Sequence, residues 1–444
     1  MTSIIEAFVE EARGVSIEEA AGRLGLKFRK SGKEHPQACP VSGGTDRFSF
    51  NTDKNNWHCR HCSVGGKDAI GMAAHNLGLD LKVRSGFLEA CSAVLGRDIP
   101  AEGERESEEE RLERLARIEE QRRRNAEAEK DRAAAQADFR ERERRKARGI
   151  YEAAALLTTS SLPHGRAYLK NRGAGVPRSR WLHVAAEVPY WHGQDDRGAP
   201  LALYTGPAMI APFIDPAGVI IGCHITWIDL ARAPKFRPLL FGLTQKGMKE
   251  RLPEWRYGDP PPDRQHIEAE FYEVLPTKKM RGTKKGGVIP LCGSPAARRW
   301  VGAEGIENTL AFARIEGFRA DTFYFAAGDL GNMAGPADPK SRFAHPELTK
   351  PDRLGRERPV MVAGPVPLMH GDVAEPDAMV VPDHVDKLVF LADGDSERVM
   401  TAAAMARART RHARPGRLIP VVWPRQGTDW AALLAGTGFD EVGA

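Results

Sequence analysis

Cysteine is scarce in this chain, six in 444 residues, and that excludes a fold stapled together by disulfides. No run of eighteen apolar residues occurs, so no helix is expected to cross a bilayer. The opening Met1-Thr-Ser-Ile-Ile-Glu-Ala-Phe-Val-Glu-Glu has no basic start and carries acids inside its apolar stretch, which does not fit a secretory signal. A cytoplasmic protein in a reducing environment, with no membrane partner, is expected. Neither sign of charge dominates: 65 Lys+Arg against 60 Asp+Glu leave +5, with a pI near 8.8. Any anionic partner must therefore be met by local clusters of cations. The phosphate loop Gly-x4-Gly-Lys-Ser/Thr is missing, which excludes a fused P-loop motor. The length suits two or three domains with separate cores.

Three of the six cysteines crowd near the N-terminus. Cys39-Pro40-Val41-Ser42 is followed by Cys59-Arg60-His61-Cys62, and Thr45 to Asn51 between them alternates like a strand. This spacing is that of a zinc ribbon, in which two knuckles each supply two ligands to a tetrahedral Zn2+. Ser42 stands where a fourth cysteine belongs, and a neutral hydroxyl is a poor zinc ligand. His35, His58 and His61 are the candidates to replace it, with His35 favoured because His61 lies between two ligand cysteines. A ribbon held by packing alone stays open beside that reading. Phe48 and Phe50, two apart on one strand face, are assigned to the core, while Trp57 suits either core or base stacking and Arg47 suits phosphate contact. Helices are expected over 68–81 and 85–95.

From Ala101 to Arg148 the sequence is almost entirely Glu, Arg, Lys, Ala and Gln, and Phe139 is the lone aromatic. Alternating charges on strong helix formers predict a long solvated helix acting as a linker. Beyond it, Gly149 to Leu157 and His164 to Arg172 read as helices. The apolar segments around Asp215-Pro-Ala-Gly218 read as a strand hairpin. Lys278, Lys279, Arg281, Lys284 and Lys285, interleaved with Gly282, Gly286 and Gly287, form a basic loop suited to phosphates.

Two acidic motifs follow short apolar runs of strand type. Glu304-Gly305 comes after Arg299-Trp-Val-Gly-Ala, with Glu307 close behind, and Asp393-Gly394-Asp395 comes after Lys387-Leu-Val-Phe-Leu-Ala. Carboxylates at strand ends suit a hard divalent cation that keeps several waters. The arrangement resembles the Toprim domain of bacterial-type primases, topoisomerases and several nucleases, over roughly residues 296 to 436. The resemblance implies that Glu304 is a general acid or base and that Asp393 and Asp395 bind Mg2+ (or Mn2+). Glu304, Glu307 and Asp429 are further candidate ligands. Gly427-Thr-Asp-Trp-Ala-Ala-Leu433 keeps Asp429 of the third Toprim element, but Ala432 and Asn308 stand where the family often has acids. The cysteine module likewise resembles the zinc-binding domain of bacterial and phage primases.

The order of parts is similar to primase-like proteins of phages, plasmids and integrated elements. It implies a multidomain α+β and α/β protein: a zinc-ribbon template-binding domain (1–100), a charged helical linker (101–148), a primase-type mixed α/β subdomain with the basic loop (149–292), and a C-terminal Toprim α/β domain (293–444) interrupted by an insert (335–386). The implied activity is Mg-dependent synthesis of short RNA primers by a DNA-dependent RNA polymerase of primase type. The implied partners are a single-stranded DNA template, ribonucleoside triphosphates and a separate replicative helicase. A Toprim nuclease and a catalytically lapsed nucleic-acid-binding protein are the rival expectations, the latter motivated by Ser42, Asn308 and Ala432.

Overall fold

The computed structural model describes residues 4–30, 32–101, 107–194, 197–244, 271–351, 355–369 and 376–435. They form a mixed α/β protein that divides into two compact units, Met1–Phe139 and Arg140–Ala444. Parts of the insert at 335–386 lie outside the described residues. Among those described, no helix is long and apolar enough to cross a membrane.

The first unit is built on an antiparallel meander of β1 (Glu34–Cys39), β2 (Gly43–Asn51), β3 (Asn56–Cys59) and β4 (Val64–Gly66). Helices α1 (Ile4–Arg13) and α2 (Ile17–Arg23) precede it, and α3 (Ala69–Leu77) and α4 (Arg84–Leu95) follow. Helix α2 opens with a capping box in which Ser16 and Glu19 each satisfy the other's backbone N–H, and Asp68 caps α3. Strand alternation puts Phe48 and Phe50 on one face of β2, where both are fully buried with Phe8, Ile17 and Trp57. The sequence placed both phenylalanines there.

The predicted charged helix is α5, Glu108–Glu152. Its Glu–Arg pairs at i,i+3 and i,i+4 lie on exposed faces, as at Glu120 with Arg123 and Arg124. Its buried residues are Ala147 and Tyr151, near its C-terminal end. The helix predicted to continue through Leu157 stops at Glu152. Ala155 and Leu156 instead pair with Val184 and His183, because a sheet edge there offers partners for the backbone.

In the second unit, β5 (Ala155–Leu156), α6 (His164–Asn171), β6 (His183–Gln194), β7 (Pro200–Ile214), β8 (Ile220–Trp227) and β11 (Lys278–Gly282) build a sheet ordered β11-β8-β7-β6-β5, antiparallel throughout. The turn between β7 and β8 falls at Asp215–Gly218 as expected, with Asp215 accepting from Ala217 and Val219. Strands β9 (Leu240–Leu243) and β10 (Tyr272–Leu275) pair separately. A second sheet has the order β12-β14-β13-β17-β18, from β12 (Ile289–Cys292), β13 (Arg299–Ala303), β14 (Thr322–Ala326), β17 (Lys387–Leu391) and β18 (Val421–Val422). All its pairings are parallel except that of β12. Helices α7 (Ile306–Ile315), α8 (Leu330–Ala334), α9 (Arg398–Arg411) and α10 (Trp430–Leu434) complete it, and the insert contributes the hairpin β15 (Phe343–Pro351) and β16 (Glu357–Val362).

Period-two alternation sorts these strands into three cores. Met209, Ala211 and Phe213 of β7 meet Val301, Tyr324 and Val389 of the second sheet, together with Tyr168, Leu310 and Trp430, in one central core. Ala208 and Ile210 point the other way, toward Tyr151, Ile225 and Trp227. Trp300, Phe323, Phe325 and Phe390 form the third core against Met405 and Ala408 of α9. The shared central core joins residues on both sides of the 292/293 boundary.

Candidate metal centres

The ribbon cysteines converge. Cys39, Cys59, Cys62 and His75 place their ligand atoms within 4.8 Å of one another. Cys39 Sγ lies 3.8 Å from Cys62 Sγ and 3.5 Å from His75 Nε2. Bonds of about 2.3 Å to a tetrahedral zinc put thiolates about 3.8 Å apart, so the donor set and its spacing fit Zn2+. The residue brought up to the three cysteines is His75, whereas the sequence reading favoured His35. His35 is buried against Phe28 and Phe50, and its Nδ1 accepts from the Arg29 amide. Cys59-x2-Cys62-x12-His75 is a zinc spacing readable in the sequence, but His75 sits in the apolar run that makes α3 and passes there for core.

The surroundings of the ligands explain two other residues. Ser42 donates its amide to Cys39 Sγ at 3.3 Å. Burial opposes ionisation of Cys39, but the Ser42 hydroxyl and amide and the Val41 amide outweigh it and bring the thiol down to about 6. Trp57 stacks on the His75 ring at 5.5 Å and spends its indole N–H on Asp68 O. It is 6% exposed and belongs to the core, so it offers no open face to a base. Arg47 is partly exposed, and one guanidinium nitrogen holds Ser42 O at 2.6 Å.

The acidic motifs stand where the sequence placed them, at the C-terminal ends of neighbouring parallel strands β13 and β17. The Glu304 carbonyl receives the Gly328 amide, which fixes the end of β13 against the chain leaving β14. Asp393 is tied down from the side: Asn308 donates to its Oδ1 at 2.7 Å and accepts the Ala431 amide at 3.1 Å. Asn308 thus links α7, the Asp393 loop and α10, where the Toprim resemblance led us to expect an acid. Gly394 is required in that loop, because a Cβ there would meet Thr428 O at 2.5 Å and Arg425 O at 2.7 Å. Asp429 caps α10 and lies 3.9 Å from the Arg172 guanidinium.

These acids share one electrostatic environment. Burial, then repulsion from Glu304, Asp395 and Asp429, pushes Asp393 up to about 6, against the Asn308 hydrogen bond. Burial also raises Glu304, with Asp395 adding to it and Lys278 and Lys284 opposing. Among the described residues, however, the carboxylates do not form a group with ligand oxygens all within 4.8 Å, as the zinc ligands do.

Glu307 has a different role from the one its position suggested. It is buried and bridged by Lys278 Nζ at 2.7 and 2.9 Å, and it accepts the Tyr168 hydroxyl at 2.5 Å. Burial alone would raise its pKa, but Lys278 and these hydrogen bonds drive it well below the usual carboxylate range. Its oxygens are occupied by protein donors.

The basic segment is not a flexible loop throughout. Lys278–Gly282 is strand β11, and only the part beyond it turns through the glycines. Lys278 faces Glu307, Lys284 pairs with Asp329, and Lys285 lies 3.6 Å from Asp377. Alternation along β11 sends Lys279 and Arg281 to the opposite face, beside Ile225 and away from the acids. Asp329 and Asp377 stand in no motif and become visible only through these pairs.

The described residues thus define a mixed α/β protein with a Cys3His ribbon in one unit and a strand-end carboxylate cluster in the other. Residues 34–70 match the family described as the zinc-binding domain of primase-helicase, and residues 141–238 match a domain of unknown function (DUF7146). No curated protein matches the chain. Among solved structures, the zinc-binding and RNA polymerase domains of the Aquifex aeolicus primase align at 15% identity and a TM-score of 0.27, covering 96% of this chain and 81% of that one. A DNA primase domain from Pseudomonas aeruginosa aligns at 13% identity and a TM-score of 0.31, covering 66% of this chain and 74% of that one.

Proposed function

We propose that this protein is a primase-type nucleotidyltransferase that makes short RNA primers on single-stranded DNA, with a Toprim-like C-terminal half. The observation that carries the reading is the pairing of Glu304 and Asp393 at adjacent parallel strand ends, in a chain whose ribbon matches the primase-helicase zinc domain. Glu304, with a raised proton affinity, suits removal of the proton from an attacking 3'-hydroxyl. Asp393 and Asp395, with Glu304 and Asp429 nearby, are the donors for Mg2+ or Mn2+, which when bound would neutralise charge on a triphosphate. Mutual repulsion among these acids is the feature that fits a cation, since one positive ion relieves it. Lys284, close enough to Glu304 to lower its pKa, is the cation best placed to meet phosphate there. A separate helicase, and an origin in a phage or other mobile element, belong to the same reading.

A second reading, a nucleic-acid-binding protein without catalysis, is favoured by one observation. Asn308 already occupies an oxygen of Asp393. Primer synthesis separates the two. Wild type, Glu304→Ala and Asp393→Ala are given single-stranded DNA, labelled ribonucleotides and Mg2+ or Mn2+. Short products lost in both variants are expected. Metal-dependent shortening of the DNA would indicate a nuclease, and retained DNA binding with no product would indicate the binding protein.

A further inference from the structure

Strand β11 divides one basic segment between two destinations. On one side Lys278 is neutralised by Glu307, and just past the strand Lys284 and Lys285 meet Asp329 and Asp377. On the other side Lys279 and Arg281 have no acidic partner among the described residues. Both line a cleft of about 900 Å3 on the sheet face away from the acidic cluster, walled by β6, β8 and the last turns of α5. Val188, Ile210, Ile225 and Trp227 make its floor apolar, and among the described lining residues Glu187 is the one acid.

The chemistry of this lining selects a ligand class. Lys279 Nζ donates to Trp191 O at 2.6 Å and sits 3.5 Å over the Tyr190 ring. Burial, with Arg281 beside it, lowers its pKa to about 8, and an anion bound between the two would offset that cost. Trp191, 44% exposed, lines the same cleft and offers an indole to a flat apolar group. A nucleotide meets this lining, with its planar base on the apolar wall and its phosphates against a lysine and an arginine.

We propose that this cleft is a second binding site, taking a free nucleoside phosphate with its base toward Trp191 and its phosphates at Lys279 and Arg281. It goes beyond the polymerase reading, because it uses none of the acids that reading needs. The test is calorimetric titration of the full chain with ATP, without added divalent cation, on wild type, Arg281→Glu, Trp191→Ala and Asp393→Asn. Wild type and Asp393→Asn should bind one ATP with equal affinity, and the other two should bind at least tenfold more weakly. Arg281 is exposed on an edge strand, so its loss should leave the fold and the zinc content unchanged, and Trp191→Ala provides a second, independent variant. No binding by wild type, binding indifferent to both cleft variants, or binding lost in Asp393→Asn would overturn the site. Binding of a single-stranded oligonucleotide in place of ATP, sensitive to Arg281→Glu, would overturn the assignment to a free nucleotide. Primer synthesis can fail while this binding persists, so the two readings fall separately.

Discussion

Asp393 should make the folded protein less stable than an uncharged residue would, and only where it is ionised. Its carboxyl is raised from 3.8 to about 6 by burial and by the neighbouring acids. Below pH 3.8 it is protonated in both folded and unfolded chains and contributes no difference. Between 3.8 and 6 the folded protein keeps a proton that the unfolded chain has lost, and the penalty grows with pH; above 6 it is complete. Two units at about 1.4 kcal/mol each give about 3 kcal/mol, falling to about a third of that at pH 4.5. Asp393→Asn removes the penalty but alters the hydrogen bond from Asn308, so a net gain of about 1–2 kcal/mol at pH 8 is expected. For a unit of this size that is roughly 2–4 °C in Tm. Scanning calorimetry without Mg2+ should show the second unit of Asp393→Asn melting higher than wild type at pH 8, with the difference shrinking at pH 4.5. Added Mg2+ should close the gap by stabilising wild type alone. A variant that melts at or below wild type at pH 8, or gains equally at both pH values, would refute the reasoning.

Two other perturbations test the remaining features. His75→Ala should abolish stoichiometric zinc, measured by release to a colorimetric chelator, whereas His35→Phe should retain it, because among the described residues His75, and not His35, reaches the cysteines. Lys278→Met should leave the buried Glu307 carboxylate without its cation and cost about 3–5 kcal/mol in urea unfolding; Glu307→Gln in the same chain should recover much of that loss.

The sequence was most legible where local chemistry decides the outcome. The Asp215–Gly218 turn, the charged helix expected within 101–148 and the carboxylates at the ends of β13 and β17 follow from turn residues, helix formers and short apolar runs. Phe48 and Phe50 were placed by strand period alone. His75 was hidden because its helix reads as core and its partners are distant in sequence. The basic segment was misread for a related reason: its glycines suggested a loop, yet Lys278–Gly282 pairs with β8 along its whole length. Once it is a strand, its cations cannot all serve one site. Glu307 and Trp57 show the same limit, since their roles depend on Lys278, Tyr168 and His75, which only the folded chain brings near.

The place of β13 at the centre of its sheet, paired in parallel on both sides, has a consequence for how the protein comes to exist. Its two neighbours are β14, which follows soon after, and β17, which is reached only after the insert. Until Lys387–Leu391 has been synthesised, one edge of β13 lacks its native partner, and such edges invite association with other chains. Pairings between distant segments are slow to form because the intervening chain must first be closed into a loop. Glu304 and Asp393 therefore meet late, and a ribosome releasing this chain before β17 would produce a finished ribbon attached to an unfinished, aggregation-prone sheet.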